Sequence, residues 1–187
     1  SARPHAMSQA GTHSFTYDAN GNMTSDTGAA RTLIWTYDNK PSSITSGGTT
    51  TTFTYDYSGK RVKKIASQTT VYPSSLYECT GSTCTAYVFG NGKRIAKVSG
   101  STTLYIHGDH LGSAAIMTNQ SGTKVRETYY YPYGQTRTTS GTQDDKYKFT
   151  DQEQDTETGL YNFNARHYDP ILGRFVSPDS IIQNYKD

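Results

Sequence analysis

Three short runs of the chain repeat one pattern of ring-bearing and polar positions: FTYDANGN at 15–22, WTYDNKPS at 35–42 and FTYDYSGK at 53–60. Successive side chains of a strand point to opposite faces. Phe15 and Tyr17 therefore share one face, as do Trp35 and Tyr37, and Phe53 and Tyr55, with the Thr between pointing away. The Asp that follows can cap a turn by accepting a hydrogen bond from the backbone two residues on. Gly21 and Gly59 supply turn positions that tolerate positive φ. After the turns, KRVKKI at 60–65 and KRIAKV at 93–98 alternate as returning strands. Tyr17 and Tyr37 are 20 residues apart and Tyr37 and Tyr55 are 18, with looser echoes at Tyr87, Tyr105 and YYYPYG (129–134). A repeat near 20 residues predicts an array of supersecondary units. Each unit is a β-hairpin with an aromatic inner face and a Ser/Thr/Lys outer face. One hairpin cannot bury such a face, whereas stacked hairpins can. The predicted fold is all-β: consecutive antiparallel β-hairpins in a curled or spiralling sheet.

Composition supports this and narrows it. Only 33 % of residues are apolar, yet the net charge is +2, so the combination of low hydrophobicity and high charge that marks disorder is not met. Sixteen Tyr carry the area that aliphatic side chains would otherwise supply. No apolar run is long enough to span a bilayer. Residues 1–10, opening SARPHAM, read as a cloning remnant or disordered start. Eighteen basic against sixteen acidic residues leave no footprint for nucleic acid. The basic clusters Lys60-Arg61-Lys63-Lys64 and Lys93-Arg94 follow turns and are expected on solvated hairpin edges. Cys79 and Cys84, in ECTGSTCT, are too few to close a zinc site and lack the redox C-x-x-C spacing. A disulfide across a tight hairpin is the first choice for them. So short a bridge contributes about 2 kcal/mol and points to an oxidising compartment.

The tandem YD motifs, followed by DHLGS at 109–113 and TGLYNFNARHYDPILGRFVSPDS at 158–180, resemble the Rhs/YD-repeat proteins, specifically their repeat-associated core segment. The resemblance runs from about Phe15 to Ser180. In this family, which includes bacterial polymorphic toxins, the C component of Tc toxins and a region of teneurins, YD repeats form a spiralling β-sheet. That sheet can wind into a hollow β-cocoon around a toxic C-terminal segment, and the core segment closes one end. The resemblance implies YD-repeat hairpins over 11–104, the core segment over 105–180 and a truncated tail over 181–187. The implied function is a structural shell fragment that encapsulates and delivers a C-terminal effector. Its implied partners are the rest of its own chain and that effector, and its implied location is secreted or at a bacterial cell surface.

The resemblance also carries a site. Effector release in the family is attributed to self-cleavage by an aspartyl-protease-like pair of carboxylates with a nearby Arg, which falls on Arg166 and Asp179 here. Such chemistry needs one carboxylate ionised and one protonated. The second belongs to a DPxGL-type motif some two dozen residues further on, and neither Asp169 nor Asp187 has that motif or spacing. The chain is therefore expected to hold an incomplete autoprotease and to perform no proteolysis, with an ion pair or turn cap as the plainer role of Arg166 and Asp179. His107, Asp109 and His110 invite a metal or acid–base reading, but a turn capped by Asp109 with Leu111 beneath it is favoured, so no metal is expected. No nucleophile elbow, P-loop, H-E-x-x-H or cofactor motif is present. An alternative function is a carbohydrate- or cell-surface-binding module, with Trp35, Tyr129, Tyr130, Tyr131 and Tyr133 stacking on sugars. Unpaired end strands are expected to drive self-association through an edge.

Overall fold

A computed structural model describes residues 6–179. The tail expected at 181–187, with Asp187, lies outside the described residues. The first five strands are β1 (Gln9–Ala10), β2 (His13–Tyr17), β3 (Met23–Asp26), β4 (Arg31–Trp35) and β5 (Pro41–Ser46). The next five are β6 (Thr49–Tyr55), β7 (Arg61–Ile65), β8 (Thr69–Ser74), β9 (Tyr77–Thr80) and β10 (Thr83–Gly90). Then come β11 (Lys93–Ser99), β12 (Thr102–Gly108), β13 (Ala114–Thr118), β14 (Lys124–Tyr130) and β15 (Thr136–Gly141). These fifteen form one antiparallel sheet in sequence order. A division at residue 105 falls inside β12, and the sheet continues to Gly141.

One turn recurs along the sheet. The Asp18 N–H donates to Asn22 O (2.9 Å), and the Gly21 N–H returns to Asp18 O (3.2 Å). The same pair of bonds starts from Thr36, Asp56, Asp109, Asn119 and Tyr131. This is a type I turn closed by a left-handed residue. That position holds Gly21, Gly59, Gly112, Gly122 and Gly134, and in the second copy Asn39 at φ 58°. Asp18, Asp56, Asp109 and Asn119 each accept the backbone N–H two and four residues on.

The second copy corrects the phase read from the sequence. Trp35 pairs with Pro41 as Tyr17 pairs with Met23 and Tyr55 with Arg61. Trp35 thus takes the inner position expected for Tyr37, and Thr36 takes the cap position expected for Asp38. Tyr37 lies in the loop, 92 % exposed. The turn needs a left-handed residue three places after its cap. Three places after Asp38 stands Pro41, whose ring fixes φ near −65°; three after Thr36 stands Asn39, which tolerates that conformation.

Residues 6–10 also depart from expectation. The free edge of β2 needs partners for its backbone groups, and this segment supplies them. Phe15 N–H donates to Ser8 O and the Tyr17 hydroxyl to Met7 O, both at 2.9 Å, while Met7 and Ala10 pack on the core.

After β15 the chain turns back. A 3₁₀ turn at Phe149–Asp151 leads into a four-stranded antiparallel sheet of β16 (Glu153–Asp155), β17 (Leu160–Asn162), β18 (His167–Asp169) and β19 (Arg174–Phe175). This segment retraces the large sheet in reverse. Asp144 meets Arg126 of β14, Asp151 meets Arg94 of β11, Asp155 meets Arg61 of β7 and Asp169 meets Arg31 of β4. Finally Val176 O accepts the Met23 N–H of β3 at 2.8 Å. Ten strand spacings separate β4 from β14, about 48 Å along the sheet. The main core forms where the two sheets meet: Phe15, Met23, Leu33, Ile44 and Phe53 against Leu160 and Val176. A second cluster gathers Leu104, Ile106, Ala114 and Met117.

Candidate functional site

The contact between the two sheets is a seam of buried charges. Arg61 gives Nη1 to Asp155 and Nη2 to Glu153, both at 2.7 Å, and its guanidinium lies 5.1 Å from the Tyr72 ring centre. Lys64 reaches Asp155 at 3.0 Å and Glu157 at 3.3 Å. The Tyr72 hydroxyl donates to Glu153 Oε1 at 2.8 Å. Arg31 binds Asp169 at 2.7 Å, and Arg94 binds Asp151 through Nε at 2.9 Å while stacking 3.5 Å from the Tyr147 ring centre. Arg61, Lys64 and Arg94 are buried, so the expectation of solvated edges is overturned for them; Lys93 and Lys60 are exposed. Long charged side chains are buried only when paired. Their partners come about 60 to 140 residues later in the chain, out of reach of a local reading. The visible signal was charge segregation: residues 1–141 hold 13 Lys and Arg against 7 Asp and Glu, and residues 142–187 hold 5 against 9.

The seam sets protonation. Burial penalises the Asp155 carboxylate, but Arg61 and Lys64 beside it outweigh that and hold its pKa down at about 2. Burial pushes His167 down to about 4 despite Asp155 at 3.8 Å, so at neutral pH the ring is uncharged and not an ion-pair partner. Burial raises the Tyr72 and Tyr87 hydroxyls far above their usual range, keeping both as donors.

Arg166 and Asp179 come together: Nη2 to Oδ2 is 3.3 Å, with the Arg166 guanidinium 3.8 Å from the Phe175 ring centre. Both are partly open to solvent. Asp169 is turned away from them, since it binds Arg31 and accepts the Ile171 and Leu172 N–H groups. Asp109 caps its turn as expected, but Leu111 is exposed rather than packed beneath it, and His107 Nε2 lies 3.0 Å from Thr118 Oγ1. Among the described residues no group of three or more His, Cys, Asp or Glu is arranged to hold a metal. Cys79 and Cys84 are register partners across β9 and β10, with their sulfurs 2.02 Å apart.

The five aromatic candidates do not form one platform. Trp35 is on β4; its Nε1 donates to Met23 O at 2.7 Å and its ring packs on the core. Tyr130 is half-buried, donating to Ala114 O at 3.0 Å beside Phe149. Tyr129, Tyr131 and Tyr133 remain exposed at the far end of the sheet.

Residues 66–187 match the Teneurin YD-shell family. The chain is 34 % identical over 182 residues to the tRNA(Glu)-specific nuclease WapA of Bacillus subtilis subsp. natto, covering 89 % of this chain and 8 % of that protein. It is 36 % identical over 105 residues to salivary gland surface protein 1 of Aedes aegypti, covering 54 % of this chain and 3 % of that one. The chain thus spans less than a tenth of the curated relatives it matches. In structure it resembles a chain of the Photorhabdus luminescens Tc holotoxin pore carrying a TccC3 mutation, at a TM-score of 0.77 and 21 % identity, over 89 % of this chain and 10 % of that one. Hairpin array, reversed C-terminal crossing and sequence match agree: the chain belongs to the Teneurin YD-shell family and is a structural shell fragment of an Rhs/YD-repeat protein.

Proposed function

We propose that this chain is a terminal section of the wall of a larger shell, which encloses a C-terminal effector and carries it out of a bacterial cell. The observation that carries this reading is the charged seam. The face of the sheet that bears Arg31, Arg61 and Arg94 is covered by the chain's own C-terminal segment, which binds it across β4 to β14. A segment held in this way closes the wall and fixes where the downstream chain departs. The C-terminal part of the relative named a tRNA nuclease, and of the Tc toxin chain, would then be the kind of cargo such a wall holds. The Cys79–Cys84 pair suits a secreted or cell-surface location. Limited proteolysis of a longer protein containing this chain tests the reading. The segment beyond the seam should survive protease doses that cut exposed linkers, and its prompt digestion would overturn the proposal.

A second reading concerns Arg166 and Asp179. Their 3.3 Å approach fits the cation and first carboxylate of the family's self-cleaving site. The 187-residue chain is expected to stay intact. Extended downstream, it should cleave itself in a time course followed by mass spectrometry, and Asp179→Asn should not; cleavage at equal rates would sink this assignment.

A further inference from the structure

Consecutive antiparallel strands bring every second turn to the same end of a sheet. The turn at 109–112, between β12 and β13, therefore stands beside the turn at 131–134, between β14 and β15. A cleft of about 400 Å³ opens between them. It joins two motifs that the shell reading leaves unused, DHLGS and YYYPYG. One wall carries the exposed Leu111 side chain and the other the exposed rings of Tyr129 and Tyr131, with Ile116 and Phe149 also lining it. The Tyr129 ring is held in place: its hydroxyl donates to Glu127 Oε1 at 2.8 Å, and Lys124 Nζ holds Glu127 Oε2 at 2.6 Å. Three polar groups of the lining have capacity to spare. Asp109 spends Oδ1 on the Leu111 and Ser113 N–H groups and keeps Oδ2. The exposed His110 ring and the Tyr131 hydroxyl make no hydrogen bond among the described residues. Lys124 matches Glu127, so Asp109 is the one unmatched charge of the lining. That carboxylate repels an anion, and a single carboxylate beside an imidazole suits a fixed cation poorly.

We propose that this cleft binds a neutral carbohydrate ring. The C–H face of a pyranose packs on the tyrosine rings and Leu111. Its hydroxyls donate and accept, which matches Asp109 Oδ2, the His110 imidazole and the Tyr131 hydroxyl. The volume falls in the range of small-molecule clefts. Glu127 and Tyr129 alternate along β14 with Arg126, which binds Asp144 in the seam. They face away from the seam, and a ligand reaches them without opening it. Of the residues expected to stack on sugars, the cleft keeps Tyr129, Tyr130 and Tyr131 and leaves out Trp35 and Tyr133. The inference stands apart from the shell reading, since a wall section needs no ligand at this point.

Titrating the 187-residue chain with D-glucose, D-galactose and N-acetyl-D-glucosamine, with glycerol and choline chloride as controls, tests it. At least one of the three sugars should shift the backbone amide signals of 109–116 and 127–134 to saturation, and neither control should. Tyr131→Ala and His110→Ala should each weaken that binding about tenfold, or about 1.4 kcal/mol. Both side chains are exposed, so the variants keep the fold. Tyr57→Ala, in the turn between β6 and β7, should bind as the parent does, which separates this cleft from any exposed ring. No saturable shift with the three sugars, an equal response to glycerol, or unchanged affinity in Tyr131→Ala and His110→Ala overturns the proposal. Saturation by choline in place of the sugars overturns it as well, in favour of a cation held by tyrosine rings.

Discussion

At the scale of single residues, the repeat is a turn before it is a row of tyrosines. Asp18 holds three donors, the N–H groups of Asn20 and Asn22 and the Asn22 side-chain amide. Asp18→Ala should lower stability by about 1–2 kcal/mol, seen as a melting point lower by roughly 3–6 °C. Asp38→Ala, at the position that looks equivalent in sequence, should leave the melting point unchanged within error. The reverse ranking would restore the simple alignment of the three motifs. The caps and the glycines after them were legible because a turn is settled by residues within four places. The phase slip at Trp35 was legible too, in Pro41, but only to a reader weighing backbone angle above letter identity. Reducing Cys79–Cys84, which closes a six-residue loop, should cost about 2 kcal/mol and leave the far-ultraviolet spectrum unchanged.

At the scale of elements, the pairing of the large sheet was readable and the second sheet was not. Consecutive hairpins follow from local alternation. The docking of β16–β18 depends on charge partners such as Arg31 and Asp169, 138 residues apart. No periodicity announces such a pair. Removing one member of the seam strands the other in a buried place: Asp155→Asn should destabilise by about 3 kcal/mol in urea unfolding, through unpaired Arg61 and Lys64. Glu157→Gln, at the more exposed end of the seam, should cost far less. Acid should act on the same seam in two stages. His167 has a folded pKa of about 4 against 6.5 when unfolded, so the unfolded chain binds the extra proton and stability falls as pH drops from about 6.5 to 4. Asp155, at about 2 against 3.8, adds a further loss below about pH 4. His167→Gln should remove the upper stage and keep the lower one; a melting point flat from pH 7 to 4 in the parent chain would contradict the burial of an uncharged ring.

At the scale of the whole molecule, the sheet ends unequally. β1 has two residues, whereas β15 presents six, nearly all exposed and without proline. Open edges of this kind recruit other strands, and β1 is too short to receive β15 of a second copy. Edge pairing should therefore join β15 to β15 and stop at two chains. Sedimentation of the parent chain against Thr139→Pro, at a position whose N–H faces the open side of β15, checks this, with dimer expected for the first and monomer for the second. The reversed crossing has one more consequence. During synthesis the cationic sheet leaves the ribosome first, and the seam carboxylates that neutralise it emerge after it. Until then Arg61 and Arg94 lack their seam carboxylates, Arg31 has only Asp26 beside it, and the nearest polyanion is the ribosomal RNA itself. The nascent chain should linger at the exit port in a salt-sensitive manner and let go only when Asp144 to Asp169 have emerged.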